Sequence, residues 1–272
     1  MKYRAFGLNF FSDMEIPEFL PLEFTDPDVE ICAGSVIERD VRVAGGEGWL
    51  YLHVKSVARF LIENGNRITY DLYPGVHLDS FRLFLLGSAM GALLLQRGLI
   101  VLHGNAISTD GETCTIFVGH SGAGKSTTAA WYFQNGATIL ADDVCAIDFD
   151  EVGRPIVFPS YPQLKLWQAS ADLLEIDTQS LRRVRPQDNK FAIRILDQFS
   201  AKPLVLSRVV ELHVEEREST VYSGLFKLDL LRKHTYRVSF LKYLLLEQGY
   251  CRKLMTLAGK INLESSDRSF VR

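Results

Sequence analysis

Gly119-His120-Ser121-Gly122-Ala123-Gly124-Lys125-Ser126 is a complete GxxxxGK[ST] loop, preceded by the apolar run Thr115–Val118 and followed by the helix-forming run Ser126–Gln134. Strand, glycine loop and helix in that order are the context in which this motif cradles phosphate. Glycines at 119, 122 and 124 let successive backbone N–H groups turn toward one centre and approach phosphate oxygens that a Cβ would obstruct. The start of the helix adds unsatisfied N–H groups and the positive end of its dipole. The Lys125 ammonium then reaches the β- and γ-phosphates and the Ser126 hydroxyl ligates the metal. The expected cradle is Gly119, Ser121, Gly122, Ala123, Gly124, Lys125, Ser126 and Thr127, with ATP and Mg2+ as cofactors.

The run Ala137-Thr138-Ile139-Leu140-Ala141-Asp142-Asp143 reads as a short buried strand ending in two carboxylates, with Asp142 seventeen residues after Lys125. One helix and one turn fill that gap, with Gly136 as the helix stop, so the chain returns as a strand parallel to the first. The carboxyl ends of such strands line the ligand crevice, which places both acids beside the loop. Adjacent residues of a strand face opposite ways, so the two take different tasks. Asp142 is expected as the base that accepts a hydroxyl proton, and Asp143 as a magnesium ligand or its support. Aspartates also close ordinary strand-end turns, which is the competing reading of the pair.

Upstream, the apolar run Leu99–His103 ends in His103-Gly104, and Thr109-Asp110-Gly111-Glu112 carries the Asp-Gly signal of a hairpin. Folding back there brings His103 toward the carboxylates, where its imidazole either orients Asp142 or shuttles a proton. A partly buried histidine bonded to backbone is the alternative.

Thirty basic against 33 acidic residues leave no broad polyanion-binding surface, so nucleic acid is not an expected partner. Cys32, Cys114, Cys145 and Cys251 are scattered without metal-ligand or disulfide spacing, which suits a reducing cytoplasm. Met1–Asn9 lacks the apolar region of a signal peptide. The apolar stretch Phe84–Leu95, inside Phe81–Gly98, falls short of the about 20 residues that span a bilayer and reads as a buried helix, so no membrane role is expected.

Met1–Leu8, Val29–Ala33, Trp49–Val54, Ala58–Asn64 and Arg67–Tyr73 read as strands, with Asn64-Gly65-Asn66 as a hairpin turn. Residues 1–78 are therefore expected to form a β-rich N-terminal unit, and 79–272 the catalytic unit. The N-terminal unit either positions a peptide along a sheet edge or covers the core. Beyond the acid pair, Ile156–Phe158, Leu164–Leu166 and Val205–Val214 read as strands, and Leu225–Lys233 and Phe240–Gln248 as helices. Lys165 sits between apolar neighbours, a contact for phosphate or substrate or else an exposed strand lysine. The basic loop Arg182–Lys190, with Arg183, Arg185 and Lys190, either closes over the transferring group or is solvated. Arg237 is a possible late contributor.

In combination, His103-Gly104, the GHSGAGKST run and Leu140-Ala141-Asp142-Asp143 resemble the catalytic domain of bacterial HPr kinase/phosphorylase, a resemblance that covers roughly residues 99–150. It implies an α/β fold, a P-loop sheet core of the HPr kinase type with a smaller, mostly antiparallel N-terminal unit. It also implies that the histidine pairs with the first aspartate, Asp142, as general base, while Lys125 and Ser126 hold ATP and magnesium. The later Glu-x-Arg-Gly signature of that family has no counterpart, Phe191-Ala192-Ile193-Arg194 being the nearest run. Pro159-Ser160-Tyr161-Pro162-Gln163-Leu164-Lys165-Leu166-Trp167, the N-terminal Tyr3–Leu8 and His234-Thr235-Tyr236-Arg237 are similar instead to stand-alone HPr-kinase-related proteins of lasso peptide clusters. That resemblance implies transfer of a γ-phosphoryl group from ATP to a serine hydroxyl of a precursor peptide. An HPr-type protein kinase, a small-molecule kinase for free serine-like acceptors and a nucleotide-controlled binding module remain alternatives, and the oligomeric state is open.

Overall fold

The computed structural model describes residues 1–214 and 218–267. Its architecture is mixed α/β with three sheets. The first contains β1 (Lys2–Ala5), β2 (Leu8–Ser12), β3 (Leu20–Pro21), β4 (Val29–Ala33), β5 (Val43–Gly46), β6 (Trp49–Val54), β7 (Ala58–Glu63) and β8 (Arg67–Leu72), in the order β3-β1-β2-β4-β8-β7-β6-β5. Its hairpins are antiparallel, but β4 lies parallel to both β2 and β8. The single strand expected over Met1–Leu8 is instead a hairpin. Phe6 (φ 52°) and Gly7 (φ 73°) form its corner, and two consecutive positive φ values are what a tight strand reversal demands.

The apolar helix runs as α1 (Leu78–Phe84), a π-helical turn over Leu85–Ala89, and α2 (Met90–Gln96). By length and composition Leu78–Gln96 is apolar enough to cross a membrane, yet 72% of that window is buried inside the protein. Its small residues have a specific partner. A Cβ at Gly91 would lie 2.7 Å from the Tyr236 ring, and one at Gly87 2.9 Å from the Tyr236 hydroxyl.

The second sheet holds β9 (Ile100–Ser108) and β10 (Thr113–Val118), then, after α3 (Lys125–Gln134), β11 (Thr138–Phe149) and β12 (Pro155–Phe158). The chain leaves it for the third sheet, formed by β13 (Gln163–Trp167), β14 (Arg182–Arg183) and β15 (Lys190–Arg194), with α4 (Gln168–Leu173) following β13. It returns as β16 (Leu204–Leu212), passes through α5 (Leu225–Lys233), α6 (Phe240–Tyr243) and α7 (Glu247–Ala258), and closes with β17 (Asn262–Ser266). The strand order β10-β9-β11-β12-β16-β17, with β10 also paired to β16, makes β10, β9, β11, β12 and β16 a closed circuit. β11 does run parallel to β10, but as a second neighbour, because the antiparallel β9 lies between them.

Two further expected elements differ. Phe240–Gln248 is not one helix: it breaks at Leu245, whose φ is 58°. The acid pair does not end its strand, since β11 continues through the buried run Val144–Ile147. One main core joins both larger sheets and α2, and a second lies under α3. Each fully buried Leu, Ile or Phe there contributes about 1.5–3 kcal/mol.

Candidate active site

Asp110 closes the β9–β10 turn by accepting from the Glu112 and Thr113 N–H groups, at 2.9 and 2.8 Å. That turn sets the register that builds the site. Gly104 pairs with Val118, the residue before the loop, on one side and with Asp143 on the other. A Cβ at Gly104 would lie 2.5 Å from the Phe117 carbonyl oxygen, so the strands approach this closely only around glycine. His103, Gly104 and Asn105 thus stand between the loop's entrance and the acid pair.

The loop fits a polyphosphate on its own geometry. Gly122 (φ 84°) and Gly124 (φ 92°) occupy the left-handed region, and a Cβ at Gly122 would meet nothing within 4 Å, so the cradle is open at that point. Among the described residues no side chain caps α3, which leaves its first N–H groups for an anion. Lys125 Nζ donates to the carbonyls of Gly119 and His120, at 2.8 and 3.2 Å. Burial lowers its pKa against the pull of Asp143. The Ser126 side chain is half-buried and, among the described residues, has no hydrogen-bond partner. Thr127 differs: its hydroxyl lies 2.8 Å from that of Ser170 on α4, so only its backbone faces the cradle.

The two acids are held unequally. Asp142 is 1% exposed, and both its oxygens are engaged: Asn105 Nδ2 donates to Oδ1 at 2.5 Å and the Lys165 N–H to Oδ2 at 2.9 Å. Burial, then the neighbouring Asp143 charge, raises its pKa. The Asp143 side chain is 24% exposed, and Lys165 Nζ donates to its Oδ2 at 2.7 Å. Burial pushes that carboxyl upward, but Lys165 and Lys190 outweigh it and hold it well below the ordinary range. Asp143 also sits at φ 70°, a backbone state that costs a non-glycine residue about 1–3 kcal/mol and gathers at functional sites.

His103 does not pair with Asp142. Its Nδ1 lies 3.0 Å from the Asp143 carbonyl oxygen. A carbonyl only accepts, so Nδ1 carries the proton and Nε2 presents a lone pair. Burial lowers the imidazole pKa, keeping the ring neutral. Its face packs on Tyr236, ring centres 5.6 Å apart.

Of the other expected contacts, Lys165 is not an exposed strand lysine; it is buried against Asp143. Lys190 lies over the Trp167 ring and its charge reaches both acids. Arg183 stacks on Phe191, and Arg185 stands 3.8 Å from Asp188, so neither is drawn into the site. Arg237 lines a cleft of about 460 Å³ together with His103, Gly119, Ser121 and Tyr236. A larger cavity, about 720 Å³, lies among α5, α6 and α7, but it borders none of these groups.

Sequence reasoning missed Asn105, Glu211 and the positioning role of Tyr236. Glu211 pairs with Val118 across β16 and β10 and accepts from His234 Nε2, Lys233 Nζ and the Tyr222 hydroxyl at 2.8, 2.8 and 2.7 Å. It thereby moors the 233–237 segment beside the loop. Asn105 was findable, two positions after His103 on the same face; Glu211 carries no local signal.

No family model and no curated protein matches this chain. Among solved structures it is similar to the Hpr(Ser) kinase/phosphatase from Coxiella burnetii, at 11% identity over 61% of this chain and 83% of that one, with a TM-score of 0.32.

Proposed function

We propose that this chain is an ATP-dependent kinase acting on a serine hydroxyl of a peptide or protein, with a ribosomally made precursor peptide of the lasso type as the first acceptor to test. A cytoplasmic setting suits its four free cysteines. The observation that supports the reading is the β9 register, in which Gly104, next to His103, pairs with Val118 before the loop on one side and with Asp143 on the other.

In this reading the acceptor oxygen attacks the γ-phosphorus in line, the bond to the β–γ bridging oxygen breaks, and ADP leaves. Backbone N–H groups of the loop and Lys125 hold the donor. Ser126 and Asp143 would hold magnesium, which offsets charge on the phosphates when bound. The proton-accepting role expected of Asp142 passes to His103 Nε2, because Asp142 is sealed and both its oxygens are occupied. Asp142 instead orients Lys165 and, through it, Asp143.

The test is phosphate transfer from labelled ATP to serine-containing peptides, followed by mass spectrometry. Lys125→Ala is expected to weaken both ATP binding and transfer, whereas His103→Gln keeps ATP binding and loses transfer. Wild-type turnover in His103→Gln rejects the proton assignment. ATP hydrolysis without any phosphorylated acceptor rejects the kinase.

A further inference from the structure

Arg237 borders two cavities: the cleft beside the loop, and a groove of about 680 Å³ whose wall includes Arg42, Val43, His53, Lys55 and Ser88. That volume lies within the range, about 300–1,000 Å³, of cavities that hold compact ligands. The groove joins the N-terminal sheet, through β5 and β6, to the site. Among the described residues no Asp or Glu lines it. Arg42, Lys55 and Arg237 are exposed, and among the described residues none of them makes an ion pair. In a chain with more acidic than basic residues, three unneutralised cations around one groove form a local positive field.

The position of Arg237 is fixed. Its φ is 50°, the preceding Tyr236 N–H donates to the Val101 carbonyl at 2.8 Å, and its own carbonyl accepts from the Phe240 N–H at 2.8 Å. The guanidinium lies over the Tyr236 ring, the ring that packs on His103. The positive groove thus shares Arg237 as a common wall with the cleft in which a hydroxyl would meet the donor.

From this we infer that the groove binds an acidic segment of the acceptor peptide, adjoining the phosphorylated serine, with its carboxylates on Arg42, Lys55 and Arg237. The inference rests on the kinase reading for the serine, but the groove is tested by binding alone. Fluorescence anisotropy of the full chain would compare a fluorescein-labelled peptide carrying glutamates around a single serine, the same peptide with glutamines, and a labelled single-stranded oligonucleotide. The glutamate peptide is expected to bind about tenfold or more tightly than the glutamine one, a difference of about 1.4 kcal/mol that shrinks as salt is added. An Arg42→Glu, Lys55→Glu double variant is expected to lose that preference. Both residues are exposed, so an unchanged thermal midpoint verifies its folding. Equal affinity for the two peptides, an unaffected double variant, or tighter binding of the oligonucleotide would overturn the inference. Preferential binding of the glutamate peptide without phosphate transfer keeps the groove and removes the kinase; transfer indifferent to acidic neighbours does the reverse.

Discussion

Lys165, itself buried, and the partly exposed Asp143 form an ion pair, Nζ to Oδ2 at 2.7 Å, while the same lysine gives its backbone N–H to Asp142. One residue of the third sheet therefore fixes both acids, by charge on one side and by backbone on the other. Removing one partner of such a pair leaves an uncompensated charge away from water.

Lys165→Met is accordingly expected to destabilise the protein by about 3 kcal/mol at neutral pH, read as a shift in the urea midpoint. Adding Asp143→Asn removes the stranded charge and should restore part of that loss. An unchanged midpoint in the single variant would show that the pair contributes nothing.

The pH dependence of turnover has a definite sign. Burial holds His103 below its ordinary 6.5, so the proton-accepting form prevails at neutral pH. Rates at saturating ATP should stay level from pH 8 down to about 6.5 and fall only below it, as protonation removes the Nε2 lone pair. A rate already falling between pH 8 and 7 would mean that a group with a raised pKa governs the reaction.

Glu211 offers a stability test. Its hydrogen bond from His234, with those from Lys233 and Tyr222, outweighs burial and holds the carboxyl well below its ordinary 4.5. A depressed acid stabilises the fold above its unfolded value and loses that contribution as pH falls. Glu211→Gln should therefore cost about 1–3 kcal/mol at pH 7, with the gap to wild type closing below pH 4.5. A gap that widens in acid would refute the assignment.

Gly91→Ala tests how Tyr236 is seated. The added carbon would press on the ring at 2.7 Å, and such overpacking costs about 1–3 kcal/mol. Because that ring backs His103, turnover should fall along with the thermal midpoint. A variant with normal stability and normal turnover would show that the ring simply shifts aside.

Local chemistry was what the sequence displayed. The phosphate loop, the Asp-Gly turn and the alternation of β7 and β8 each state their geometry within a few residues, and the structure builds the corresponding elements. Adjacent carboxylates read as a strand end, because nothing nearby shows that Asn105 and Lys165, from two other strands, satisfy them. The same limit hid Glu211, whose three hydrogen-bond partners all lie at least eleven residues away in sequence, His213 at 3.4 Å being its one near neighbour along the chain among the described residues. The break at Leu245 opposes the helical spacing around it, the positive φ of Phe6 opposes the single strand expected over Met1–Leu8, and neither residue type announces such a backbone.

Glu18, in the loop after β2, ties the two halves of the chain together. It accepts from Arg182 at 2.6 Å and from Arg82 at 3.3 Å, while Asp79 binds both guanidinium groups. Proteolytic nicking between residues 73 and 77 should consequently yield pieces that co-elute on gel filtration. Expressed without the first 72 residues, the remainder would carry two arginines stripped of one counter-ion and a hydrophobic face laid bare, a recipe for inclusion bodies.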